Sequence, residues 1–171
     1  RTNRPVDNLY AAYNTLTQRM EGPQCKGIVS IDLSGMQDGD VTGLSAFNGH
    51  SGLLSVVMEG DRKYLTMSTN VVELSDKEKV ILNVEVEEKE RIEWPQENIY
   101  LRIDCDFNLH KDIATFYYSA DNEHWTKIGT DFKMQFDYKK LFMGNSFAIF
   151  NYATKESSGY VDLDFFEYKQ L

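Results

Sequence analysis

The strongest constraint in this chain is its alternation. Residues 27–33, Gly-Ile-Val-Ser-Ile-Asp-Leu, place apolar and polar side chains in turn, the period of a strand with one face buried and one face wet. Runs of the same kind follow at 41–47, 52–58, 63–67, 79–86, 99–105, 113–119, 125–128, 147–152 and 160–168. Turn-forming residues separate most of them: Asp38-Gly39-Asp40, Asn48-Gly49, Glu59-Gly60-Asp61, Asp121-Asn122-Glu123 and Ser157-Ser158-Gly159. About ten short strands at such spacing predict an all-β antiparallel sandwich. Two segments alone read as helical, 6–12 and a single turn at 138–142. The charged stretch 85–93 reads as a solvated strand end and loop, stopped by Trp94-Pro95.

Size and composition narrow the function. The 171 residues correspond to one domain, 1–171, with no linker or repeat. With 18 Lys and Arg against 27 Asp and Glu, the net charge is -9. That excess repels nucleic acid and anionic membrane rather than recruiting them. No apolar run reaches the ~20 residues of a membrane span. The first residues, 1–8, lack the apolar core of a secretion signal, so export is not readable here.

Chemistry-bearing patterns are sparse. Cys25 and Cys105 lie in strand-like runs and read as buried free thiols, with a disulfide as the alternative. Asp104 and Asp106 flank Cys105 and share the face opposite the thiol; Asp162 and Asp164 alternate in the same way near the end of the chain. Carboxylates side by side on a strand face are a candidate calcium site, here Asp162 and Asp164, against the simpler reading of a wet sheet face. No cofactor is required by any pattern in the sequence. Tyr117 and Trp125 are candidate sugar-stacking rings. The stretch between them, Ser119 to His124, reads as a tight hairpin capped by Ser119 and Asp121, loosely similar to an aspartate-box turn. No nucleophile elbow, phosphate loop or marked carboxylate pair points to catalysis.

Several stretches, taken in order, resemble one family. They are NTLTQR at 14–19 followed by Gly22-Pro23, SGMQDGDVTGL at 34–44, YLRID at 100–104 and ATFYYS at 114–119. The series continues with FMG at 142–144, FNYAT at 150–154 and GYVDLDFF at 159–166. Together they are similar to the C-terminal concanavalin A-like β-sandwich of glycoside hydrolase family 43, the β-xylosidases and α-L-arabinofuranosidases. The resemblance implies a jelly roll lacking its first strand or two, and a fragment of a larger glycosidase whose catalytic carboxylates lie on an absent β-propeller. It implies a non-catalytic accessory role: packing on that propeller and helping shape its pocket for xylan- or arabinan-type oligosaccharides. The implied pocket loop contains Phe47, Asn48 and His50, although Asn48 and Ser51 depart from the family's glutamine and aromatic there. A periplasmic or extracellular parent is implied in the same way. An independent carbohydrate-binding module is the alternative.

Overall fold

The computed structural model describes residues 1–2, 4–75, 80–135, 144–156 and 159–171. Two antiparallel sheets face each other. The strands are β1 (Thr15–Arg19), β2 (Gln24–Asp32), β3 (Asp40–Phe47), β4 (His50–Glu59), β5 (Arg62–Leu74) and β6 (Ile81–Glu93). After them come β7 (Asn98–Asp106), β8 (Ile113–Ser119), β9 (Thr126–Lys127), β10 (Phe132–Lys133), β11 (Ser146–Ala153) and β12 (Asp162–Gln170). One sheet has the order β1-β11-β3-β4-β5-β6; the other runs β10-β8-β7-β2-β12, with β9 added beside β8.

Alternation along the strands builds the core between the sheets. Val29, Ile31, Leu101, Ile103 and Phe116 from one sheet meet Leu44, Leu54, Leu65, Met67 and Phe147 from the other, all at or near zero exposure. Neighbours of opposite parity in the first sheet, Val41, Leu53 and Phe150, point the other way. There they form a second small cluster, roofed by Leu9 from the N-terminal segment. That segment is tied down by Val6 N–H donating to the Ala153 carbonyl at 2.8 Å. The helix expected over 6–12 is only a 3-10 turn, Leu9–Ala11, closed by the Asn8 side chain. Seven residues lying on a sheet gain more from seating Leu9 and Tyr10 than from a short helix, whose nucleation is costly.

The acidic stretch 85–93 is strand rather than strand end and loop: β6 runs unbroken through Glu93 and pairs with β5. It is an edge strand, exposed along nearly its whole length. Backbone pairing to β5 therefore carries the strand, while charged side chains keep its free edge from pairing with other chains. Arg91 reaches Glu59 at 2.8 Å and Glu88 at 3.0 Å, tying the acidic edge back to β4. Two short strands not expected from alternation, β1 and β10, add to sheet edges, and β1 is mostly solvent-exposed. The helical turn expected at 138–142 lies outside the described residues.

Candidate functional site

The outer face of the second sheet carries a cluster of aromatic and polar side chains. In β7 the buried Leu101, Ile103 and Cys105 alternate with Tyr100, Arg102 and Asp104, which face outward. Arg102 stands directly opposite Tyr117 of β8, and Tyr117 opposite Lys127 of β9. The Arg102 guanidinium lies 4.6 Å from the Tyr117 ring centre and 5.3 Å from that of Trp125. Asp104 holds it in a bidentate grip: Arg102 Nε donates to Oδ1 at 2.7 Å and the terminal nitrogen to Oδ2 at 2.6 Å. The carboxylate raises the arginine's pKa further. One row along, Tyr100 packs 6.2 Å from Phe165 of β12.

The two ring candidates, Tyr117 and Trp125, are therefore on one surface, joined by a residue the sequence reading passed over. Arg102 was legible in principle, two positions before Asp104 on the same strand face; what hid it was that its partners come from β8 and the following hairpin. The patch offers flat rings and fixed N–H donors. Both Asp104 oxygens are engaged by Arg102.

The hairpin that carries Trp125 is built as its residues suggested. Ser119 Oγ accepts from the N–H groups of Asp121 and Asn122 at 3.2 and 3.0 Å and donates to Asp121 Oδ1 at 2.9 Å. Asp121 Oδ1 also accepts from the N–H groups of Glu123 and His124 at 2.9 and 2.8 Å. These donors, with the His124 ring 2.7 Å from Oδ2, hold the Asp121 carboxyl far below its usual range. Asp121, Glu123 and His124 also form the one group of three potential metal-ligating side chains among the described residues; all three are exposed. The turn's own hydrogen bonds account for Asp121 and His124 there.

The expected pocket loop forms the β3–β4 hairpin, with Phe47, Asn48 and His50 brought together at one end of the sandwich. Each makes contacts that run inward. Asn48, 2% exposed, donates from Nδ2 to Asn145 Oδ1 at 3.0 Å, and its Oδ1 accepts from Gly49 N–H at 2.7 Å. Phe47 packs 5.3 Å from the Tyr10 ring, and His50 meets Phe132 edge-on at 4.8 Å. Asn48 thus closes the turn itself.

At the edge, a β-bulge between Leu163 and Phe165 leaves Asp164 as the extra residue. The bulge breaks the simple alternation assumed for Asp162 and Asp164. Asp162 faces Asp32 across the ladder, and Asp164 Oδ2 accepts from the Ser30 hydroxyl at 3.0 Å. A cleft of about 360 Å³ opens nearby between β1 and β12, lined by Tyr13, Leu16, Ile31, Phe150 and Leu163. None of the candidate residues read from the sequence lines it.

Comparison with known proteins agrees with this architecture. Residues 2–169 match the family described as the β-xylosidase C-terminal concanavalin A-like domain. A β-xylosidase of Formosa agariphila is 26% identical over 163 residues, which is 94% of this chain and 24% of that protein. A bifunctional GH43-CE protein of Bacteroides eggerthii superposes with a TM-score of 0.86 at 39% identity, covering 98% of this chain and 20% of its own. An engineered GH43 glycoside hydrolase, described as displaying both endo-xylanase and exo-arabinofuranosidase activity, superposes at 0.87 with 30% identity, over 100% of this chain and 33% of its own. The chain thus spans a third or less of the length of each of these relatives. An all-strand, two-sheet chain matched from residue 2 to residue 169 belongs to the family of concanavalin A-like C-terminal domains of GH43 β-xylosidases.

Proposed function

We propose that this sandwich is a non-catalytic accessory domain of a family 43 glycosidase acting on xylan- or arabinan-type glycans, packing on the catalytic propeller and helping shape its substrate pocket. The observation that carries the reading is the family match over residues 2–169, from relatives of which the chain covers only 20–33% of the solved chains. The β3–β4 hairpin at Phe47, Asn48 and His50 is the segment assigned to the pocket. Its support is rigidity: a turn closed by its own Asn48 and clamped by Tyr10 can hold a wall in place. The reading calls on no cofactor, and calcium at Asp162 and Asp164 draws no support from a bulge that offsets Asp164 and a carboxylate already accepting from Ser30. Supplying the chain in trans to the isolated propeller of its parent enzyme is expected to raise the propeller's melting temperature and its rate on aryl xylosides or arabinofuranosides. The chain alone is expected to release no nitrophenol. A propeller indifferent to the chain, or sustained release by the chain itself, overturns the proposal.

A second reading, an independent carbohydrate-binding module, is favoured by one observation: Tyr117 and Trp125 share a face with the braced Arg102. Titration calorimetry with xylo- and arabino-oligosaccharides at millimolar concentration tests it. Heat that saturates in wild type and vanishes in Trp125→Ala supports it; a flat trace removes it.

A further inference from the structure

Cys25 and Cys105 are direct partners across the β2–β7 ladder. Both are free and both are buried, at 0% and 3% exposure. Facing residues in an antiparallel pair have Cα atoms about 4.5 or 5.5 Å apart, depending on which kind of pair they form. Either spacing falls inside the ~4.4–6.8 Å range that a disulfide spans. Partners in register also project to the same side of the sheet, here into the core, with Cβ atoms about 4.5–5.5 Å apart, so a small approach of the two strands reaches the ~3.5–4.5 Å of a disulfide. The surroundings are soft and sulfur-rich: the Cys105 thiol donates to Met20 Sδ at 3.7 Å.

We propose that Cys25 and Cys105 form a site of covalent modification, a vicinal dithiol that closes to an intramolecular disulfide when the domain meets a low-molecular-weight disulfide oxidant. Two thiols lose two electrons and two protons, and the oxidant's S–S bond is reduced to two small thiols. Cys25 attacks one oxidant sulfur and expels the first small thiol. Cys105 then attacks the Cys25 sulfur of the mixed disulfide and expels the second. Interaction with Cys25 and burial push the Cys105 thiol up, which makes Cys25 the first nucleophile. The cleft of about 460 Å³ beside this pair is lined by Gln24, Asp104, Asp106, Lys111 and Thr115 on the outward face, opposite the thiols, so the oxidant reaches them when this end of the sheet opens. The cover is the end of edge strand β12, where Gln170 stands opposite Cys25 and Leu171 N–H donates to the Gln24 carbonyl at 2.9 Å. Edge-strand ends are among the first segments to open.

The test is intact-mass measurement and thiol counting after unfolding, on folded protein incubated with oxidised glutathione. Wild type is expected to lose about 2 Da, and both titratable thiols together, as one disulfide forms. Reduction by dithiothreitol should restore both thiols. Cys25→Ser and Cys105→Ser, and the corresponding alanine variants should a serine form fail to fold, are each expected to keep their single thiol or gain one glutathione, without the 2-Da loss. Wild type that retains both thiols, stops at the glutathione adduct, or forms only disulfide-linked dimers overturns the proposal.

Discussion

The Tyr10 phenol oxygen lies 2.8 Å from the Ser51 hydroxyl, joining the N-terminal segment to the β3–β4 hairpin. The same phenol donates to the Asn48 carbonyl at 2.7 Å, and Ser51 Oγ approaches that carbonyl at 2.6 Å. Three polar groups thus satisfy one another at the roof of the second apolar cluster. Tyr10→Phe keeps the ring that packs on Phe47 and removes only the bridge. It is expected to cost about 1–2 kcal/mol, the price of leaving buried partners short of a hydrogen bond. Urea unfolding measures this; an unchanged midpoint contradicts the bridging role.

Burial pushes the phenols of Tyr10 and Tyr152 up to about 12. In the unfolded chain a tyrosine ionises near pH ~10. The unfolded state therefore releases these protons first as pH rises, and folding stability is full below about pH 10 and lost between about 10 and 12. Tyr152→Phe is expected to flatten that loss. Denaturant midpoints at pH 8 and at pH 11 would show it, as a smaller gap in the variant than in wild type.

Gly43 is a position of close approach: a Cβ added there would lie 1.9 Å from the Leu54 carbonyl oxygen on the neighbouring strand. The obstacle is backbone, so no rotamer change relieves it. Gly43→Ala should destabilise by at least the ~1–3 kcal/mol typical of overpacking, read as a lower melting temperature or loss of soluble protein. Gly60→Ala is the control for a glycine with open space around it; its cost is limited to a positive φ of 63°.

Arg102 joins Asp104, Tyr117 and Trp125. Arg102→Ala leaves the Asp104 carboxylate without its fork and one face of each ring uncovered; a loss of about 1 kcal/mol is expected. Arg102→Lys retains charge but not the bidentate geometry, and should recover only part of it. If the face binds oligosaccharide, both variants also lose the calorimetric heat. Thermal melts without sugar separate the structural loss from the binding loss.

Asp164 already accepts from Ser30, and the bulge offsets it from regular alternation with Asp162. The melting temperature is therefore expected to be the same with excess calcium and with chelator. A rise with calcium that Asp164→Asn abolishes would establish a cation site at this edge.

How much of this was legible in the sequence depends on how local the cause is. Alternation of small apolar and polar residues located most strands, because the two-residue period is a property of each strand alone. The Ser119–Asp121 hairpin was legible for the same reason: its capping atoms lie within a few residues of the groups they cap. The acidic stretch 85–93 of β6 was misread as strand end and loop because its strand character comes from pairing with β5, not from its own side chains. β1 and β10 were missed since five or two residues at an edge carry too little pattern.

Local chemistry thus determined that the chain forms short, turn-bounded strands with one apolar face. Strand order and register, which depend on contacts between residues far apart in sequence, decided the rest. They set Arg102 beside Tyr117 and Trp125, Cys25 opposite Cys105, and the N-terminal segment over the outer face of β3 and β11. Backbone hydrogen bonds can pair many strands in many registers; burying Leu44, Leu54, Phe116 and Phe147 together selects among them, and that selection belongs to the whole core rather than to any one stretch.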